Sequence, residues 1–278
     1  VKKIPKYQAE MIVARDNFHG RTIMEITAST ENYYREFFGP FVPGIIPVKY
    51  NDVDAIRKAI TPNTAMVMLE PIQGEAGIIM PDEGYLREVA KICKENNVLL
   101  ITDEIQTGLG RTGKMFAFEH EGIHPDIVTI GKALSGGFYP ISAVLADAKL
   151  MDLFLPGEHG STFGGNPLAA AIAREALKVI VDEKLVENSA KMGEYFMEHL
   201  AEINSPHIKN VRGKGLLIGI ELYPEAKGAR RFCEALQEKG ILAKETHENV
   251  IRFAPPLIIK KEDIDWAMPR IREVLQMP

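Results

Sequence analysis

"VLLITDEIQTGLGRTGK", residues 98–114, decides the fold. An apolar run from Val98 to Ile101 passes through Thr102 into two acids, Asp103 and Glu104, then breaks into a glycine-punctuated loop. A run without polar alternation suits a strand buried on both faces, as in parallel sheets covered by helices. Comparable runs recur as "MIVA" (11–14), "AMVMLE" (65–70), "DIVTIG" (126–131) and "ISAVLA" (141–146). Between them, "NDVDAIRKAI" (51–60) and "GYLREVAKICKENN" (84–97) carry apolar residues at helical spacing. Asp52 is placed to cap the first, and Asn96-Asn97 suits the exit from the second. A helical stretch from Pro167 to Leu200, with a break near Asp182, then leaves this region.

Beyond residue 183 the pattern changes. It reads as helix, a strand over "NVRGKGLLIGIELY" (210–223), helix "ARRFCEALQEKG" (229–240), a short strand "VIRFAPP" (250–256) and helix "EDIDWAMPRIREVL" (262–275). The expected architecture is therefore α/β: a mainly parallel, doubly wound sheet in a large domain, residues 1–182, and a smaller α+β C-terminal domain, residues 183–278.

The 278 residues are 46% hydrophobic, enough for a sizeable core. A net charge of -5 gives no electrostatic case for nucleic acid. No apolar run is long enough to span a bilayer. Two cysteines far apart, Cys93 and Cys233, argue against a disulfide scaffold or a metal cluster and fit a reducing cytoplasm. The chain opens without Met and enters "MIVA" almost at once, so further sequence is expected ahead of Val1.

Ligands of open α/β sheets gather outside the carboxyl ends of the strands. Three such ends carry chemistry here: Glu70 before "PIQGEAG", Asp103 before "EIQTGLG", and Lys132 in "TIGKALSGGFYPISAV" (129–144). A lysine at a buried strand end either snorkels to solvent or has its amine partly desolvated for work on a carbonyl. Carbonyl chemistry on a pyridoxal ring would also need a carboxylate at the ring nitrogen, which Asp103 could supply. An Asp–Lys ion pair, or an aspartate capping a turn, is the ordinary alternative. Gly131, Gly136 and Gly137 around the lysine favour close approach of a ligand to the backbone.

Six motifs occur in order: "NFHGRT" (17–22), "LEPIQGEAG" (69–77), "TDEIQTGLGRTGK" (102–114), "IGKALSGGFYPISAVL" (130–145), "HGSTFGGNPLAAA" (159–171) and "IRFAPPL" (251–257). Together they resemble the class III (subgroup II) pyridoxal-phosphate aminotransferases, most narrowly those acting on ornithine. The resemblance implies fold-type I, a pyridoxal 5'-phosphate cofactor and a homodimer with shared sites. Lys132 would carry the cofactor as a Schiff base and shuttle the proton. Asp103 would face the pyridine nitrogen, Gln106 the ring hydroxyl and Phe18 the ring face. Thr162 would bond the phosphate held by the partner subunit. His19 stands where other members often carry an aromatic residue and receives no role.

For the substrates, Arg21 and Arg252 would hold carboxylates, as suits 2-oxoglutarate and glutamate. Glu75 would pair with Arg252 while ornithine reacts through its δ-amine, then swing aside for the keto acid. The ordinary readings are a structural Glu–Arg bridge and a solvated arginine. The implied reaction is transfer of the δ-amino group of ornithine to 2-oxoglutarate. Alternatives are acetylornithine or another ω-amino acid as donor, a lyase or isomerase on the same scaffold, or a non-catalytic fragment. Family members carry a small-residue phosphate turn and an aromatic arm ahead of the position where this chain starts; neither is in the sequence.

Overall fold

The computed structural model describes residues 2–278. Six strands form one sheet: β1 (Glu10–Ala14), β2 (Ile45–Val48), β3 (Thr64–Leu69), β4 (Leu99–Asp103), β5 (Ile127–Ile130) and β6 (Ala143–Ala146). Their order is β2-β1-β3-β4-β5-β6. All neighbours are parallel except β6, which runs antiparallel to β5. Alternate residues of β1 serve opposite faces. Ile12 and Ala14 join Ile56, Val89 and Ile92 in one core, while Met11 and Val13 pack with Ala28 on the other side.

The helices of this part are α1 (Ile23–Ala28), α2 (Asn32–Arg35), α3 (Val53–Ala59), α4 (Tyr85–Glu95), α5 (Ala148–Met151) and α6 (Pro167–Asp182). Asp52 caps α3 by accepting from the Ala55 N–H at 2.8 Å. Asn166 does the same for α6 through the Ala169 N–H at 2.9 Å, with Pro167 in the first turn. The helical stretch breaks where expected: α6 ends at Asp182, Lys184 turns left-handed with φ 54°, and α7 (Leu185–Ala201) begins.

A second sheet has four antiparallel strands in the order β7-β8-β10-β9: β7 (Ile208–Lys214), β8 (Leu217–Leu222), β9 (Lys244–Thr246) and β10 (Val250–Phe253). With α7, α8 (Arg230–Glu238) and α9 (Lys261–Val274) it encloses its own core around Phe196, Ile218, Phe232, Ile251 and Ile271.

Three details depart from the sequence reading. The edge strand β2 was not expected. Its Pro47 lacks a donor, which a sheet edge tolerates. The single strand read over 210–223 is a hairpin, β7 and β8, because Gly215 takes φ 54° between them. The three-residue β9 was also missed, being too short to show a period.

That hairpin tip joins the two sheets. The Leu216 N–H donates to the Arg111 carbonyl at 3.0 Å, and the Arg111 guanidinium donates back to the Leu216 and Pro255 carbonyls at 3.0 and 2.6 Å. A Cβ on Gly215 would lie 2.4 Å from the Thr112 carbonyl carbon. Gly215→Ala is therefore expected to destabilise the chain by about 1–3 kcal/mol, read as a lowered thermal midpoint. An unchanged midpoint would show that the tip does not bear on the Arg111 loop.

Candidate active site

The strand order sets the site. β1, β3, β4 and β5 are consecutive neighbours, and their carboxyl ends lead to Phe18 and His19, to Glu70 and Glu75, to Asp103 and Gln106, and to Lys132. The chain after β1 is pinned by buried Asn17, whose side-chain amide donates to the Ala14 and Ala28 carbonyls at 2.6 and 2.8 Å.

Asp103 is buried and fully engaged. One oxygen accepts from the Ile105 N–H at 3.1 Å and the Thr129 hydroxyl at 3.2 Å. The other lies 2.7 Å from Nδ1 of His19. His19, assigned no role from sequence, is thus the direct partner of the acid. Its side chain is almost wholly enclosed, and its Nε2 has no hydrogen-bond partner. Burial works against charge on this imidazole. The hydrogen bond to Asp103 and the charges of Glu70, Asp103 and Glu25 outweigh it, so its pKa is raised.

Glu70 is also buried, its oxygens accepting from the Phe18 N–H at 3.0 Å and the Gly74 N–H at 3.3 Å. Burial pushes its carboxyl up to about 7, against the opposing pull of His19 and the two N–H donors. Glu104 has a structural part. It accepts from the Thr107 hydroxyl at 2.5 Å and the Phe118 N–H at 2.9 Å, fixing the glycine-rich loop.

Lys132 lies just past β5, opening a short 3-10 turn, Lys132–Ser135. The sequence suggested a buried amine; the side chain instead opens into a cavity of about 660 Å³. Glu75, Gln106, Arg111, Lys244 and Arg252 line the same cavity. The amine's pKa is lowered, first by burial and then by the Arg252 charge, against the pull of Glu75, Asp103 and Glu70. Its backbone has φ 42°, a conformation that side-chain-bearing residues seldom adopt.

Glu75 is held from both sheets. Oε1 receives Nη1 of Arg252 at 2.5 Å and Nε2 of Gln106 at 3.0 Å, and Oε2 receives Nζ of Lys244 at 3.1 Å. Its carboxyl is drawn down to about 2: burial opposes this, and Arg252, Lys244 and Gln106 overcome it. Gly74 makes the approach possible, since a Cβ there would fall 1.6 Å from Oε1 of Gln106. Gln106, expected at a ring hydroxyl, is turned to Glu75 and Arg252.

Arg21 is exposed and has no acidic partner among the described residues. Its guanidinium stacks 4.1 Å from the Tyr34 ring and 5.2 Å from Phe18. Burial raises the Tyr34 hydroxyl, with Arg21 opposing and Glu75 adding, so this stack lies within electrostatic reach of Glu75. Tyr34 and Lys244 lie outside the quoted motifs, and His19 lies inside one without a role assigned to it. Thr162 stands apart, exposed on the loop 152–166 and outside the cavity.

The donor set fits the ring of a pyridine aldehyde: an amine of lowered pKa, and a buried carboxyl on the neighbouring strand end. No group of three or more His, Cys, Asp or Glu among the described residues could hold a metal ion, and no helix among them is long and apolar enough to cross a membrane.

Comparison with known proteins identifies the family. Residues 1–275 match the family described as aminotransferase class-III. The ornithine aminotransferase of Brevibacillus brevis is 58% identical over 277 residues, covering 100% of this chain and 69% of that protein. The solved ornithine aminotransferase of Toxoplasma gondii ME49 superposes with a TM-score of 0.97 at 46% identity, covering 99% of this chain and 66% of that one. An acetylornithine aminotransferase from Elizabethkingia anophelis gives 0.85 at 43% identity, covering 99% and 67%. This chain thus spans about two thirds of the length of the proteins it matches.

Two measurements follow from the buried groups. Glu70 and His19 both have raised folded-state pKa values. Each contributes stability that is complete below its unfolded value and lost as pH rises through its folded one. The thermal midpoint should therefore fall as pH climbs from about 4.5 to 7 through Glu70, and further above about 6.5 through His19. Glu70→Gln should remove the first part of the slope and His19→Gln the second; slopes unaltered in both variants would contradict the assignment. At Lys132, the strained φ predicts that Lys132→Gly is more stable than Lys132→Ala by about 0.5–1 kcal/mol in denaturant unfolding, the reverse of their usual order.

Proposed function

The chain belongs to the class-III aminotransferases, and from that premise we propose that its protein transfers the δ-amino group of L-ornithine to 2-oxoglutarate, giving glutamate 5-semialdehyde and L-glutamate. The observation that carries this reading is the Glu75–Arg252 contact at 2.5 Å, beside an Arg21 with no acidic partner among the described residues.

Class-III aminotransferases use pyridoxal 5'-phosphate, which when bound supplies an aldehyde to take up the amino group and a ring to delocalise charge at the reacting carbon. Lys132 would hold that aldehyde, Asp103 the ring nitrogen and Phe18 the ring face, while Gln106 would have to turn from Glu75 to reach the ring hydroxyl. Lys132 Nζ then moves the proton at the carbon bearing the reacting amine; its lowered pKa keeps a larger share of the amine neutral for that task. His19, 2.7 Å from one carboxylate oxygen of Asp103, fixes the acid's orientation.

Substrate choice is a matter of charge. Ornithine has one carboxylate, which Arg21 would hold, and Glu75 keeps Arg252 covered. An α-carboxylate therefore finds no partner at Arg252, and the α-amine is kept from the reacting position. The keto acid carries two carboxylates and needs both arginines, so Glu75 must leave Arg252 in that half of the cycle. Acetylornithine as donor is the second reading, favoured by the Elizabethkingia relative. Greater identity to the Brevibacillus ornithine enzyme supports the first.

In this reading residues 1–182 make the cofactor-binding domain and 183–278 the small domain. A second copy of the protein would cover the exposed apolar side chains Phe138, Phe154, Leu155 and Phe163, and bring Thr162 to the neighbouring site's phosphate.

The test follows product formation from ornithine by the full-length holoenzyme. Glutamate 5-semialdehyde is expected; the 2-oxo acid formed by loss of the α-amine, or activity on acetylornithine alone, would overturn the proposal. Glu75→Ala should lower the preference for the δ- over the α-amine by about tenfold or more, the loss of one charge-assisted contact. Unaltered regiochemistry would remove Glu75 from the gate.

A further inference from the structure

The contact that no sequence motif announced is that of Lys244 with Glu75. We propose that Lys244 is a positioning residue that retains the Glu75 carboxylate when a substrate carboxylate takes its place on Arg252. This rests on the reading above, and gives that gate a second resting point.

The placement is specific. Lys244 on β9 is the direct cross-strand partner of Arg252 on β10, so two cations stand side by side at one edge of the small sheet. Cross-strand like charges repel unless something lies between them. Here the carboxylate from the other sheet does so, with Oε1 on Arg252 and Oε2 on Lys244. The Glu75 backbone is pinned, because the Thr246 hydroxyl donates to its carbonyl at 2.5 Å. Movement of the carboxylate is then a rotation of one side chain about a fixed point. Among the described residues, Arg252 and Lys244 are the two cationic groups it contacts, so on leaving one it can keep the other.

Charge counting shows why this matters. Glu75 against Arg252 alone is neutral, and an incoming carboxylate would leave two anions on one guanidinium. With Lys244 present, the resting cluster carries one excess positive charge. A second carboxylate brings it to neutrality with one cation for each anion. Arg252 is largely enclosed, its side chain 15% exposed, so its geometry is fixed. Lys244 is 58% exposed on a flexible stem and can follow the turning carboxylate. Ornithine, which leaves Glu75 in place, makes no such demand.

The experiment compares wild type, Lys244→Met and Lys244→Arg in the full-length holoenzyme, with each half-reaction measured separately. In Lys244→Met the KM for 2-oxoglutarate is expected to rise about tenfold, well beyond any change in the ornithine half-reaction, with Lys244→Arg restoring most of the loss. Calorimetric titration with glutarate, a dicarboxylate without the keto group, should show the same weakening independently of turnover. Equal changes in both half-reactions, no change in either, or failure of arginine to rescue would overturn the proposal. A wild type that forms no semialdehyde from ornithine would instead refute the functional reading. The glutarate titration would still decide the part played by Lys244.

Discussion

One carboxylate touches both sheets. Glu75 leaves the carboxyl end of β3 in the six-stranded sheet and ends between Arg252 and Lys244 of the four-stranded one. Those two cations are adjacent only because β9 and β10 pair in that register. Without a counter-charge the register would set like charges against each other. The loop that delivers the carboxylate is held just as closely. Gln73 and Ile79 bridge across it, and Arg212 on β7 donates to the Gly77 and Ile78 carbonyls at 2.7 and 2.8 Å while pairing with Glu221. The backbone there is fixed from three sides, and the freedom that remains belongs to a single side chain.

The groups deeper in the site obey the opposite rule. Asp103, His19 and Glu70 are enclosed, and each hydrogen bond they make is to the six-stranded sheet or the loops at its carboxyl ends. Buried acids are tolerated when their oxygens are occupied by donors, and here backbone N–H groups, a hydroxyl and an imidazole occupy them. The strained backbone at Lys132 belongs to the same arrangement. A φ of 42° on a lysine persists because Gly131 and Gly136 flank the short turn and the Leu134 N–H closes it on the Gly131 carbonyl.

Much of this was legible in the sequence, for reasons that particular residues make plain. Strands buried on both faces show as unbroken apolar runs, so β1, β3, β4 and β5 were readable, and Asp52 and the Asp182 break announced helix boundaries. The acid and amine at successive strand ends followed from that register. What escaped was of two kinds. Short edge elements, β2 and β9, have too few residues to show a period, and Gly215 gave no sign of which way it would turn the chain. Contacts between distant segments also escaped: His19 lies 84 residues from Asp103, and Lys244 lies 169 from Glu75. A histidine after a phenylalanine and a lysine in a loop-like stretch carry no local signature of their partners.

The division of labour between the sheets has a physical consequence. The Lys132 amine and the buried Asp103–His19 pair come from strand ends of one sheet, whose geometry is set by parallel pairing and enclosed hydrogen bonds. The other sheet contributes cations, on side chains that line an open cavity and are partly solvated. Arg252 and Lys244 donate to Glu75 and Gln106, while the enclosed acids have other donors. Burial aside, the Lys132 amine answers to both sets: Glu70 and Asp103 raise its pKa, and Arg252 lowers it. The Glu75 carboxylate is thus the point at which the cations of one sheet meet the strand-end loops of the other.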